Sequence, residues 1–182
     1  MPTYPLEVSY IRLTVGASQR TDELLSGTLL IRQVSGGQVD TCSFALKGKE
    51  SWRGTAGSKP THGQEVLVET RLESESTWTK LFGGVINGVN ENRVAYATVR
   101  WDVQCNDYTH LLQRILVNET YVNATVSDIA RDLVEQYSPF VSSSGIAATS
   151  TTVDHVTFAH QYPIQALQQL AEATGRIWYV NP

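Results

Sequence analysis

The spacing of apolar residues changes near residue 105, and this change constrains the fold more than any other feature of the chain. Before it, apolar runs are short, rich in β-branched and aromatic residues, and separated by turn-forming residues. After it, apolar residues recur at helical spacing. A period of two is typical of strands and a period near 3.6 of amphipathic helices. We therefore predict an α+β chain, with an N-terminal antiparallel β-barrel over residues 1–105 and a smaller α/β region with two amphipathic helices over residues 106–182.

Short apolar runs in the first region are predicted to be strands. They lie at residues 8–15, 25–34, 42–46, 66–70, 78–89 and 96–105. Clusters of Gly, Pro, Asn and Ser predict turns at residues 35–37, 54–60, 87–88 and 90–92. Gly83 and Gly84 interrupt the fifth run, and glycine inside a strand indicates a bulge, a bend or a close backbone approach. A turn that ends the strand there is the alternative.

The second region carries clear helix signals. Asp107 is predicted to cap a short helix through residues 111–112, and an extended segment follows from residue 115. Thr125 stands three residues before Asp128, which predicts a capped helix that Pro139 stops. A strand over 153–158 and a second helix follow, the latter from Tyr162-Pro163 to a left-handed turn at Gly175. The last apolar residues, 177–180, are predicted to begin a further strand.

Charge and hydropathy exclude some classes of protein. The net charge of -4 and the pI near 5.5 argue against binding to a phosphate backbone as the main role. No apolar stretch reaches the roughly 18 residues that a membrane span needs. The N-terminus also lacks the pattern of a signal peptide. The glycosylation sequons that begin at Asn118 and Asn123 are therefore interpreted as chance matches.

The histidines do not form a recognisable motif. His62, His110, His155 and His160 are widely spaced, and the best acid-base or metal candidates are Asp154-His155 and His160. A separation of five residues on a strand places His155 and His160 on opposite faces, and HExxH spacing is absent. No GxSxG elbow or phosphate-cradling loop occurs. We predict no catalytic, cofactor-binding or metal site.

Other residues with chemical potential are interpreted structurally. Cys42 and Cys105 lie in apolar strands and are predicted to be buried thiols, although a disulfide stays open. The carboxylates of one strand and its exposed end, which are predicted to be solvated, are Glu65, Glu69, Glu73 and Glu75. Trp101 and Trp178 are predicted to be core residues, whereas Trp52 and Trp78 near turns could form a sugar-stacking surface.

Several segments resemble the central hub proteins at the tail tip or baseplate of tailed bacteriophages, and hubs of contractile injection systems. They include the glycine-broken strand LFGGVI at 81–86, the run VQCNDY at 103–108 and the capped helix at 125–137. The remaining segments are Leu111-Leu112, residues 118–121 and residues 158–180 with Tyr162-Pro163, Thr174-Gly175 and Trp178. The resemblance covers roughly residues 80–180.

The resemblance implies a structural protein of the virion. Such hubs are homotrimers whose barrel domains form a ring, which joins the tail tube or distal tail protein to the tip spike or fibre. The ring surrounds the channel for the tape-measure protein and then DNA. The resemblance implies no sequence-specific nucleic-acid binding, no membrane insertion and no cofactor. It implies assembly in the host cytoplasm.

This sequence differs from the hub pattern in one respect. The second barrel expected after Trp178 is missing, so the chain is expected to be a truncated or compact form of a longer hub. Two other classes stay open, namely a carbohydrate- or receptor-binding β module and a cell-wall or ester hydrolase. The first would require an exposed Trp52 or Trp78, and the second would require His155, His160 and a carboxylate to converge.

Overall fold

The computed structural model describes residues 8–34, 38–49, 59–95, 98–138 and 141–180. These residues form two compact units. The first unit contains the residues up to Gln33 and those from Asp40 to Asp107, and the second contains those from Tyr108 onward together with residues 34–39. The predicted α+β class is confirmed, because antiparallel sheet predominates in one unit and helices pack on a small sheet in the other.

The first unit is a seven-stranded sheet in which every pairing between neighbours is antiparallel. Its strands are β1 (Ser9–Val15), β2 (Ser18–Gln19), β3 (Leu30–Arg32), β4 (Thr41–Lys49), β5 (Glu65–Leu72), β6 (Thr79–Ala95) and β7 (Thr98–Asp107). The hydrogen-bonded order is β2-β1-β5-β6-β7-β4-β3. Over the described residues no ladder joins β2 to β3, so closure into a barrel stays a prediction.

Alternate residues of these strands form the core of the first unit. Burial alternates along β7, where Val99, Trp101, Val103 and Cys105 are all buried. The Trp101 side chain is fully buried, and its ring lies against Gly48, where an added Cβ would be only 2.3 Å away. A glycine at this point of β4 therefore makes room for the largest side chain of the core.

Strand β6 is longer than the sequence pattern predicts. The turns expected at 87–88 and 90–92 are wrong, because β6 continues through both sites and only its register shifts, between Ile86 and Gly88. Partners on β7 bind the two asparagine side chains. Asn87 donates to Asn106 and Asn92 donates to Asp102, each at 2.8 Å. These cross-strand hydrogen bonds compensate for residues that ordinarily favour turns.

The glycine pair in β6 behaves as predicted at its second residue. A Cβ on Gly84 would lie 2.1 Å from the carbonyl oxygen of Asn106 and 2.7 Å from the Cα of Asp107. The close backbone approach is therefore confirmed, and the alternative of a terminating turn is wrong because β6 continues well beyond Gly84.

The predicted strand at 25–34 is largely wrong. Only Leu30–Arg32 is a strand, and a 3-10 helix occupies Thr21–Glu23. Leu24 forms an isolated bridge with Leu46. Gly27 has a φ of 73°, which interrupts the extended conformation that a continuous strand requires.

Some predicted features fall outside the described residues. These are the turn at 35–37, residues 54–58 of the turn at 54–60, the start of the sixth run at Tyr96, Trp52 and Pro139.

The second unit combines two helices with a two-stranded antiparallel sheet. The elements are β8 (Val117–Thr125), α1 (Val126–Tyr137), β9 (Thr152–Gln161) and α2 (Pro163–Thr174), with 3-10 helices at Tyr108–Gln113 and Ser143–Gly145. The apolar stripes of both helices pack with Val117 and Phe158 of the strands. Among the described residues no helix is both long and apolar enough to cross a membrane.

Both helices begin and end where the sequence predicts. The Thr125 hydroxyl accepts the Asp128 backbone N–H at 3.2 Å, which caps α1. The backbone N–H of Tyr162 donates to the Gln165 side chain at 3.0 Å at the start of α2. Gly175 ends α2 in the left-handed conformation, with a φ of 64°.

The strand predicted from residue 177 is wrong over the described residues. Trp178 and Val180 pack against the core of the second unit, whereas Ile177 and Tyr179 are exposed. The side chains thus alternate as in a strand, but no described strand pairs with this segment. Alternation alone does not make a strand, because a ladder needs a partner.

Candidate functional site

One patch on the first unit brings aromatic and basic side chains together. It lies on the sheet face opposite Leu13 and Val68, where Tyr10 pairs with Arg71 and Arg12 pairs with Glu69 across β1 and β5. Lys80 on β6 pairs with Glu69. We call Tyr10, Arg12, Glu69, Arg71, Trp78 and Lys80 the outer-face patch.

The two arginines of the patch contact the same indole ring. The guanidinium of Arg12 lies 4.5 Å from the centre of the Trp78 ring and that of Arg71 lies 5.1 Å from it. Arg71 also lies 5.5 Å from the Tyr10 ring. Each contact is within the distance at which a cation is attracted to an aromatic face. The Trp78 side chain is therefore held in place and is only half-exposed.

Arg12 and Arg71 differ in their electrostatic partners. The Nε of Arg12 donates to the Glu69 carboxylate at 2.6 Å. This hydrogen bond lowers the pKa of Glu69 and raises the pKa of Arg12. The Nε of Arg71 is buried and has no hydrogen-bond partner among the described residues. The patch thus carries three basic groups, on Arg12, Arg71 and Lys80, and the one carboxylate of Glu69.

The second unit contains a cleft of about 650 Å³. Side chains of both helices, the 141–149 segment and residues 176–180 line it. Its polar groups include Ser127 and Thr149, each of which accepts the backbone N–H of the other at 3.1–3.2 Å. The described lining contains Arg176 but no Asp, Glu, His, Cys or Lys. This largely apolar lining suits an apolar segment.

Two tyrosines join β8 to α1 beside that core. The Tyr121 hydroxyl donates to Asp132 at 2.6 Å, and the Tyr137 hydroxyl donates to Glu119 at 2.8 Å. Burial raises the pKa of Tyr121, and the hydrogen bond to Asp132 raises it further. Burial also raises the pKa of Tyr137, and the hydrogen bond to Glu119 adds to this rise. These neutral donors hold the helix on the strand and do not form a nucleophile.

Two solved structures that share this fold are tail proteins. The chain is similar to the 43 kDa tail protein of prophage MuSo2 from Shewanella oneidensis, with a TM-score of 0.63, 16% identity and coverage of 94% of this chain and 50% of that one. It is also similar to a tail protein from Neisseria meningitidis MC58, with a TM-score of 0.63, 13% identity and coverage of 96% and 48%. The chain has the fold of phage tail proteins.

The same fold occurs in a secretion machine. An Escherichia coli component of the type VI secretion system, described as structurally similar to phage T4 tail proteins, matches with a TM-score of 0.59, 15% identity and coverage of 90% of this chain and 42% of that one. The chain spans about half the length of these three proteins. No protein-family model and no curated protein sequence matches it. The resemblance to tail-tip and baseplate hubs is thus confirmed at the level of the fold.

Within the tail-protein fold, the predicted histidine candidates do not form a cluster with other ligands. His155 and His160 lie exposed on β9, and the backbone N–H of His160 donates to Asn118 at 2.9 Å. His62 is exposed between β4 and β5, and His110 lies in the 3-10 helix at Tyr108–Gln113. No group of three or more His, Cys, Asp or Glu side chains that could hold a metal occurs among the described residues.

The cysteines are buried, as predicted. Cys42 and Cys105 are directly opposed on β4 and β7, and both are free thiols. Burial raises the pKa of Cys42 to about 12 and also raises the pKa of Cys105, to which the neighbouring Cys42 contributes. Thiols with such high pKa values are poor nucleophiles at neutral pH.

The predictions for the carboxylates and tryptophans are confirmed only in part. Glu73 and Glu75 are exposed, as predicted, whereas Glu69 is partly buried in its ion pair. Trp101 is a core residue, as predicted. Trp178 is only half-buried, and its indole N–H donates to Gln168 at 3.1 Å.

The sequence pattern does not reveal the outer-face patch. Its members are up to 70 positions apart, and only strand pairing brings Tyr10 next to Arg71. One signal for the patch is present in the sequence. On β1, Tyr10 and Arg12 alternate with the more buried Ile11 and Leu13, so the first two share a face. That signal predicts a shared face for residues of one strand, but it does not identify the neighbouring strand.

Proposed function

We propose that this protein is a structural component of a phage tail tip or baseplate hub. In this role, copies form a ring that joins the tail tube to the tip, spike or fibre. The ring surrounds the channel through which the tape-measure protein and then DNA pass. The observation that carries the proposal is the fold, which the chain shares over 90–96% of its length with tail proteins and a type VI secretion component.

The proposal assigns a part to each region of the chain. Residues 1–105 act as a hub-type first barrel domain, and residues 106–182 act as the α+β region that follows it. The partners are further copies of the chain in a homotrimer, the tail tube or distal tail protein, the tip spike or fibre protein, and the tape-measure protein in the lumen. The site of action is the virion tail, after assembly in the host cytoplasm. Sequence-specific nucleic-acid binding and membrane insertion have no part in it.

Strand edges that lack a partner among the described residues support a role in assembly. Over this part of the chain, β8 and β9 pair with each other and with no further strand. Unpaired edges expose backbone N–H and C=O groups, which a neighbouring chain can bind. A ring that spreads its binding energy over such surfaces needs no concentrated site.

A non-enzymatic role is part of the proposal. The described lining of the cleft in the second unit has no His, Asp, Glu, Cys or Lys, and His155 and His160 are exposed on β9. The carbohydrate-binding alternative receives no support from Trp78, because guanidinium groups already contact its ring. A sugar needs an aromatic face that is accessible for stacking.

Light scattering over a wide concentration range tests the proposal. We expect the solution mass of the protein to rise to that of a trimer or hexamer, and electron microscopy of the same sample to show rings with a central channel. A monomer at every concentration, in a sample that folds by circular dichroism, would contradict ring formation by this chain. Antibody labelling of purified phage particles then locates the protein, and labelling away from the tail tip would contradict the hub role.

A further inference from the structure

The outer-face patch has the composition of an interface centre. Trp, Tyr and Arg are the residue types that most often dominate binding energy in protein interfaces. Here Tyr10, Arg71 and Trp78 lie side by side, and Tyr10 is 41% exposed. The ring contacts hold the arginine side chains in place before any partner arrives, so less rotamer entropy is lost on binding.

Arg71 is the group in this patch whose charge needs a partner. The Tyr10 and Trp78 rings contact the guanidinium of Arg71. Its Nε is buried and has no hydrogen-bond partner among the described residues. Stacking uses the faces of a guanidinium, so the terminal N–H groups of this partly buried side chain, and not its buried Nε, are the donors that a carboxylate of another molecule can reach. Arg12 differs, because Glu69 already binds its Nε at 2.6 Å. The patch therefore favours a carboxylate at Arg71.

Other charges surround this group. Lys80 on β6 pairs with Glu69, so the strand that flanks β5 adds another cation to the patch. Glu73 and Glu75 follow β5 in an exposed turn at the edge of the patch. Within the patch itself, Arg12, Arg71 and Lys80 outnumber Glu69, whereas the two carboxylates of the adjoining turn bring the wider area to charge balance. The cations at the centre of the patch are complementary to acidic surfaces of the same chain.

The complementary surface lies on the second unit. Residues 108–182 contain six acidic and three basic side chains. Helix α1 contributes Asp128, Asp132 and Glu135 and only one basic residue, Arg131. Asp132 accepts hydrogen bonds from Tyr121 and Gln136, whereas the exposed Glu135 accepts one from the Ser143 hydroxyl. Glu135 thus keeps carboxylate acceptor positions for an incoming guanidinium.

We propose that the outer-face patch binds the acidic face of α1 in a second copy of this chain, with Arg71 paired to a carboxylate of that face. The inference rests on the proposed ring. A contact between two different surfaces of identical chains is heterologous, and such contacts close into rings when the rotation permits. A stable interface buries roughly 800 Å² on each partner. The patch is therefore the centre of this contact, and surrounding residues supply the rest of the buried area.

Charge reversal tests this pairing. The variants are Arg71→Glu, Glu135→Lys and the double variant with both changes, and the matched control is Lys47→Glu on β4, an exposed site outside the patch with the same change in charge. Each variant is checked for folding by circular dichroism, and its mass is measured by light scattering at low and high salt. We expect each single reversal to weaken self-association about tenfold or more, and the double reversal to recover it. Lys47→Glu should associate like the wild type.

The outcomes separate this inference from the proposed function. If the wild type forms rings and Arg71→Glu forms them equally well, the pairing is wrong while the ring stands. If Arg71→Glu weakens association but Glu135→Lys does not, and the double reversal recovers nothing, the acidic face of α1 is not the partner and the pairing is again wrong. A wild type that stays monomeric contradicts both proposals.

Discussion

The seven-stranded sheet of the first unit joins residues far apart in the chain. The two helices of the second unit are instead capped by residues only a few positions away. Strand β1 pairs with β5 and β4 pairs with β7, so the first core depends on long-range pairing. In the second unit, Thr125 caps α1 through Asp128, and Gly175 ends α2 in a left-handed turn. Pairing between distant strands therefore dominates the first core, whereas the second core combines one such pair, β8 with β9, with two capped helices.

Because of this difference, we expect different kinds of substitution to destabilise the two units. In the first unit, Gly48 and Gly84 mark points where a ring or a neighbouring backbone leaves no room for a Cβ. In the second, side-chain hydrogen bonds such as Tyr121 to Asp132 hold a helix on a strand. We expect the first unit to respond most to changes in volume and the second to the loss of single polar contacts.

The largest effect is expected for Trp101→Ala. Removing a fully buried indole leaves a cavity at the centre of the first core, which should lower the free energy of unfolding by about 3–5 kcal/mol. Urea unfolding followed by far-UV circular dichroism measures this loss. The matched variant, Trp178→Ala in the second unit, should cost less because Trp178 is only half-buried. Equal losses would remove the proposed difference between the two units.

Added volume is expected to have the next largest effect. Gly84→Ala should lower the free energy of unfolding by about 1–3 kcal/mol, because its Cβ would meet backbone atoms of Asn106 and Asp107 that cannot move aside. Gly88→Ala on the same strand meets only the Gln104 side chain at 3.6 Å, so its effect should stay within about 0.5 kcal/mol. The same urea titration compares the two variants, and a Gly84→Ala protein as stable as Gly88→Ala would show that the close approach is not rigid.

Loss of the cap of α1 tests how strongly the second unit depends on a single polar contact. Thr125→Ala should destabilise the protein by about 1 kcal/mol, because the backbone N–H of Asp128 loses its side-chain acceptor. Thermal unfolding measures the change. Thr125→Ser keeps the hydroxyl and should restore most of the stability; if it does not, the methyl group and not the cap carries the effect.

The smallest effect is expected for Tyr121→Phe, and it depends on pH. The pKa of Tyr121 is raised in the folded state, so the unfolded chain releases this proton first as the pH rises. Stability from Tyr121 is complete below the unfolded pKa of about 10 and is lost as the pH rises above it. Tyr121→Phe should cost about 1 kcal/mol or less at pH 7. Chemical unfolding between pH 8 and pH 11 should show a shallower loss for the variant, and parallel curves would assign the alkaline loss to other groups.

Local signals account for what could be predicted. The bounds of α1 and α2 follow from Thr125, Tyr162-Pro163 and Gly175, because capping acts within one turn of helix. The predictions of strands were less accurate. Asn87 and Asn92 have turn-forming side chains, and only their partners on β7 keep them within β6. Residues 177–180 alternate like a strand, yet no described strand pairs with them.

The α+β class, both helices with their ends, and the burial of Cys42, Cys105 and Trp101 follow from the amino-acid sequence alone. These features depend on periodicity and capping, which act over a few residues. The approach of Gly84 to Asn106 and the contacts of Arg71 with Tyr10 and Trp78 arise only in the folded protein. Those contacts depend on which strands become neighbours, and strand pairing is set by the whole sheet rather than by any one segment.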